Sequence, residues 1–162
     1  MKNIKVFIAI LCLFSILLLV INLPKFFSGV KTSLYINEIV ADNKSIISDN
    51  GEFFDYIELY NNSNESINLE GFCLSDDIDD LKKWCFGEME IKEKDYLLVF
   101  ASGNDYCSNY CHTNFKLNNK ETVILSDKDG NIVSKVDYPY LEKDTAYGYI
   151  NNQYKVMNEA TP

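Results

Sequence analysis

From Ser33 onward the apolar residues almost never recur at helical spacing; they come in short runs separated by Asn, Asp, Ser and Gly. Such runs, with turn formers between them, are the signature of strands. The clearest is "FDYIELY" (54–60), in which Asp55, Ile57 and Leu59 share one side and Phe54, Tyr56, Glu58 and Tyr60 the other. The Ile57/Leu59 side suits a core, which leaves Glu58 expected in solvent between two tyrosine rings. Further strands are expected at 33–41, 82–86, 95–102, 113–117, 122–126, 131–138 and 145–150. "DNG" (49–51) and "DKDG" (127–130) read as turns, the second joining a hairpin. Ile67 and Leu69 fall on one parity and Phe72 and Leu74 on the other, so the chain must turn a corner at Glu70-Gly71, which the glycine permits. Eight or nine short strands over about 130 residues make an antiparallel, immunoglobulin-like β-sandwich the economical fold. Ile57, Leu59, Phe72, Leu74, Trp84 and Phe86 are its expected core.

The other organising feature is the uncharged run "VFIAILCLFSILLLVINL" from Val6 to Leu23, preceded by Lys2 and Lys5. Its 18 residues reach the length that spans a bilayer as a helix. The reading is a signal anchor over 1–23, a stalk over 24–32 and the sandwich over 33–162. A cleaved signal peptide is the competitor, but no small-x-small site follows the run. Either segment exports the domain, and the anchor leaves it on the extracellular side of the cell membrane.

Charge limits the partners. Residues 31–162 hold 12 Lys and 24 acids, a balance of −12, and the whole chain has no Arg. Such a domain repels phosphate backbones and lacks their best bidentate ligand. Lys82-Lys83 is the one basic pair, and it follows Asp76, Asp77, Asp79 and Asp80.

The order of motifs carries a resemblance. "NEI", "DYIELYN", "INLEGFCLSDD", "KKWCF", "YLLVFASG", "HTNFKL", "VILSDKDGNIV", "AYGY" and a final "TP" follow one another from Leu34 to Pro162. The series resembles the lamin tail domain family in its bacterial, exported form. The resemblance implies an immunoglobulin-like sandwich that binds rather than catalyses, with no catalytic residues and no cofactor. A protein or cell-envelope component is the expected partner. The alternatives are an accessory module serving a separately encoded nuclease, phosphatase or kinase-like enzyme, and nucleic-acid capture by analogy with lamins, which the charge opposes.

The residues that could carry chemistry read mostly as structure. Asp55 and Glu58 lie three apart on a strand and so face opposite sides, a poor arrangement for an acid–base pair. The acids of "SDDIDDLKK" lack the Gly and distal Glu of a calcium loop and read as a solvated turn. His112 follows Cys107 and Cys111, but this cramped C-x₃-C-H has no second ligand pair for zinc. Exported cysteines pair with each other. Cys73 and Cys85 share a parity on neighbouring strands, and Cys107 and Cys111 can close a small loop; four reduced thiols are the alternative. Tyr106 and Tyr110, in a long loop, and Tyr138 and Tyr140, flanking Pro139, are the expected contact tyrosines.

Overall fold

The computed structural model describes residues 33–162. The apolar run Val6–Leu23 and the stalk over 24–32 lie outside the described residues. Among the described residues fifteen strands run in chain order: β1 (Leu34–Val40), β2 (Ser48–Asp49), β3 (Glu52–Phe53), β4 (Tyr56–Asn61), β5 (Ile67–Asn68), β6 (Cys73–Ser75), β7 (Trp84–Cys85) and β8 (Glu90–Ile91) come first. Then follow β9 (Tyr96–Phe100), β10 (Tyr106–Cys107), β11 (Cys111–His112), β12 (Glu121–Ser126), β13 (Ile132–Tyr138), β14 (Ala146–Ile150) and β15 (Gln153–Met157). Among the described residues no helix is long and apolar enough to cross a membrane.

Two sheets hold the core between them. The larger has the order β10-β11-β9-β4-β1-β14-β15 and the smaller β13-β12-β6-β7; β2–β3 and β5–β8 are separate two-stranded pairs. The pairings are antiparallel except for β11, which runs parallel to β9 at Val99 and Phe100. The alternation read from the sequence sets the facing. Ile57 and Leu59 of β4, Ile36 and Ile39 of β1 and Val99 of β9 meet Leu74, Val123, Leu125 and Trp84 from the other sheet. The expected core residues are buried except Phe72, which is half-buried at its margin. Gly71, at φ +80°, turns the corner between β5 and β6, so the parity switch is a change of sheet.

Several expected strands moved. "TNFKL" forms no strand and makes one isolated bridge, Ser102 to Lys116. The position beside β9 goes instead to β11, with β10 beyond it, and neither two-residue run carries a periodic signal. The short β8 and the closing β15 were likewise silent in the sequence.

The larger correction concerns the outer face of the large sheet. It is not solvated. Val40, Tyr56, Phe100 and Ala146 form a second buried cluster there, covered by Ile46, Phe54, Tyr110, Met157 and Ala160. The covering residues come from loops, from β15 and from the residues after it, and Glu58, on the same face, is 2% exposed beside Tyr110 and Pro162.

Candidate functional site

The site begins with a bulge. The register between β1 and β4 shifts between Ile36 and Glu38, leaving Asn37 as the extra residue. Ser134 of β13 and Tyr154 of β15 satisfy the backbone there: Ser134 Oγ accepts from the Ile36 amide and the Tyr154 hydroxyl donates to the Ile36 carbonyl. The bulge allows the Asn37 side-chain amide to reach Glu58 Oε1 at 2.8 Å. Beyond it, Glu38 stands directly across from Glu58 in the ladder.

These two carboxylates have unequal surroundings. Glu38 is fully buried and richly served: the Tyr56 hydroxyl donates to it at 2.6 Å, and Thr161 donates through its amide and its hydroxyl. Those bonds fasten the last residues of the chain over the outer face. Glu58 is 2% exposed and, among the described residues, receives one hydrogen bond, on Oε1. Among the described residues no fully buried side-chain N or O lacks a partner, so Oε2 is not sealed in. It faces a cleft of about 320 Å³ lined by Glu58, Tyr96, Leu98, Tyr110 and Pro162 and by the Cys107–Cys111 loop. Burial, with the neighbouring Glu38 adding to it, raises the Glu58 carboxyl from 4.5 to about 7.

The sign of this shift gives a prediction. A carboxyl that holds its proton more tightly folded than unfolded stabilises the fold below its unfolded value and loses that contribution as pH rises through its folded one. Between about pH 4.5 and 7 Glu58 therefore costs the fold on the order of 2–3 kcal/mol, reduced from the full shift because Oε2 meets water. Asp55, held above its ordinary value by burial, acts in the same direction. Chemical denaturation at several pH values should show stability falling across this window, and Glu58→Gln should flatten most of the slope. A slope unchanged in the variant would assign the dependence elsewhere.

Beside the cleft, the β10–β11 hairpin is held by a second network. His112 is buried, with Nδ1 2.9 Å from Ser102 Oγ and Nε2 3.2 Å from Asp49 Oδ2. The Tyr106 ring stacks on the imidazole at 4.3 Å and its hydroxyl donates to the same Asp49 oxygen. Serine, histidine and aspartate in contact are a hydrolase's inventory, but a nucleophile must meet its substrate, and Ser102 is 3% exposed. The trio pins the hairpin to β9 and to the β2–β3 turn. Cys107 and Cys111 pair across the hairpin in a disulfide, which removes the thiolates that zinc would need. Cys73 and Cys85 are likewise opposed on β6 and β7 and joined. They share a parity, yet Cys73 is buried and Cys85 exposed.

The other sequence candidates are dispersed. Asp55 precedes β4, and its Oδ1 accepts from the Asn43 amide. Asp76 pairs with Lys83, and Asp77 Oδ1 caps the Asp79 amide within its own turn. Tyr106 and Tyr140 are exposed, at 40% and 59%. Tyr110 is half-buried, its ring 5.2 Å from that of Phe100. Tyr138 is a correction: it is 2% exposed, and its hydroxyl donates to the Asn118 carbonyl. It shares a parity with buried Val136 on β13, a sign that its position next to Pro139 concealed. Sequence reasoning missed Tyr96, Leu98 and Glu58 as cleft walls. Alternation could place Tyr96 and Leu98 on the face of Glu58, but only the loop fold puts a wall beside them.

An immunoglobulin-like pair of sheets and two cross-strand disulfides do not by themselves name a family. A family model described as Lamin Tail Domain matches residues 28–139, more than half of the chain. The chain belongs to the lamin tail domain family. A comparison with curated proteins found no match. Lamin tail domains are non-enzymatic, immunoglobulin-like modules, in keeping with a fold whose serine, histidine and aspartate are sealed inside. The matched span reaches from before β1 through β13 and takes in every wall of the Glu58 cleft but Pro162. In this lamin tail domain the cleft is therefore built on the shared framework and closed at one side by residues beyond it.

Proposed function

We propose that this lamin tail domain is an exported, membrane-anchored binding module of the bacterial type, whose partner is a protein or a cell-envelope component. The observation that carries the reading is the cleft beside β9, where a nearly buried carboxylate with one unengaged oxygen lies among Tyr96, Leu98 and Tyr110. Aromatic and aliphatic walls around one polar group are the usual build of a recognition site. Two disulfides suit an oxidising compartment outside the cytoplasm. The uncharged run Val6–Leu23 suits an anchor that holds the domain at the surface.

Two measurements test this together. The full chain should stay with membranes through an alkaline carbonate wash, while its bulk is open to protease from outside. A soluble, N-terminally trimmed main product would replace the anchor by a signal peptide. Cross-linking in intact envelope should then capture one saturable partner, with capture lost when Tyr96 and Leu98 are both replaced by Ser. Capture unaffected by that double replacement would remove the cleft from the reading.

DNA is not the partner in this proposal. Counterion release scales with lysine and arginine contacts to phosphate, and residues 31–162 carry −12 with no Arg. At about 0.15 M salt no duplex binding is expected in the range of non-specific binders, about 10⁻⁴–10⁻⁶ M. Saturable binding there, weakening steeply with salt, would restore nucleic acid as the partner.

A further inference from the structure

The large sheet has an incomplete edge. β11 lies beside β9 only at Val99 and Phe100, a parallel pairing that reaches back to the Leu98 carbonyl, and the Tyr96 amide donates to Asp95 Oδ1, so among the described residues no strand flanks Tyr96–Leu98 and the main-chain groups left open there are the Tyr96 carbonyl and the Leu98 amide. That open length forms one side of the cleft. Its residues are at the surface: Tyr96 is exposed, and Leu97 and Leu98 are partly so. The disulfide-closed loop bounds it on one side. We propose that the cleft takes an extended peptide of a partner protein as an added strand along Tyr96–Leu98, with a lysine or arginine of that peptide paired to Glu58.

Geometry sets the length of the recognised side chain. Leu98 stands opposite Glu58 in the ladder, and both point to the outer face. A residue of an added strand opposite Leu98 points to that face too, two strand spacings from β4, about 10 Å. A glutamate and a long basic side chain close that distance together; shorter side chains do not. Main-chain hydrogen bonds to a strand edge give affinity, and side-chain pockets give selection.

Charge selects the same ligand. Glu58 is almost entirely withdrawn from water, with one oxygen unpaired by any described residue. Among the described residues no lysine lines the cleft to neutralise it. The titratable groups around it are Glu38 on β1, Tyr56 on its own strand, Tyr96 on β9 and Tyr110 on the hairpin, and the hairpin's cysteines are oxidised. None of these supplies a cation, so a bound ammonium or guanidinium group would give Glu58 a positive charge that no described residue provides. Because burial holds its carboxyl near 7, binding such a cation expels a proton. The inference rests on the binding reading of the cleft and adds its ligand class.

The test uses the full chain in detergent micelles and labelled, end-blocked pentapeptides of alternating threonine and valine around a central lysine. The control peptide has norleucine at the centre. Affinity for the lysine peptide should fall by up to about thirtyfold between about pH 8 and pH 5.5, the change expected as a carboxyl titrating near 7 becomes protonated. The norleucine peptide should bind weakly and without that dependence. Glu58→Gln, which keeps an acceptor for Asn37, should reduce the lysine peptide to the norleucine level at each pH. Methylating the peptide's central amides should abolish binding by removing the strand's donors. Equal affinities for the two peptides, a lysine affinity indifferent to pH or to Glu58→Gln, or full binding of the methylated peptide would overturn the proposal. Envelope capture that persists in Glu58→Gln at both pH values overturns this inference and leaves the broader binding reading standing. Loss of capture from the unaltered chain, together with no peptide binding, overturns both.

Discussion

Trp84→Ala will cost the fold about 3–5 kcal/mol, the range for deleting a large aromatic from a packed core. Trp84 is 6% exposed, opposes Leu74 across β6 and β7, and meets the Phe86 ring edge-on at 4.8 Å. β7 is two residues long, so the indole is most of what that strand contributes to the core. The space left cannot be refilled from β6, whose Cys73 is fixed to Cys85. It is also the only tryptophan in the chain, so the unfolding of the variant must be followed by circular dichroism, not by indole emission. A loss under about 1 kcal/mol would place Trp84 at the surface and make it a binding candidate.

Removing the Cys73–Cys85 disulfide will cost about 2–4 kcal/mol. The bridge closes a 12-residue separation, and the loop entropy it withdraws from the unfolded chain is of that order. Peptide mapping without reduction should find the two cysteines linked, and replacing both by alanine should lower the denaturation midpoint with little change in slope. Free, alkylatable thiols at both positions in air-purified protein would refute it. Trp84 is next to Cys85, so the two losses share a site and will not add. The triple variant should lose clearly less than the sum, because the second change removes support from a strand already loosened.

These effects fall where the sequence was most readable. Ile57 and Leu59 declare the inner face of β4, and the matched parity of Cys73 and Cys85 places two strands side by side. Alternation sees the core-facing side of each sheet, so it recovers β1, β4, β9 and β14 of the larger and β12 and β13 of the smaller. It cannot see what covers the opposite face. Ile46, Phe54 and Ala160 lie in loops without periodicity and cover Val40, Tyr56, Phe100 and Ala146, while Tyr110 and Pro162 stand beside Glu58, which is 2% exposed rather than solvated. The trio of Ser102, His112 and Asp49 is invisible for a related reason. Its members lie 10 and 63 positions apart along the chain, and a parallel pairing with no local signal brings them together. Two-residue strands such as β10 and β11 follow from tertiary contact rather than from propensity.

The placement of β1 has a mechanical consequence. The chain that precedes Ser33 enters the fold at Leu34, the first residue of β1, and β1 is flanked on both sides by antiparallel neighbours, β4 and β14. Tension delivered along the chain from that end pulls on an interior strand rather than on an edge. Such a strand cannot be peeled away one bond at a time; it must slide past two partners together, with the Ser134 and Tyr154 contacts at Ile36 loaded near the point of entry. A pull from that end therefore meets shear resistance from β4 and β14 together before any strand of the large sheet is released.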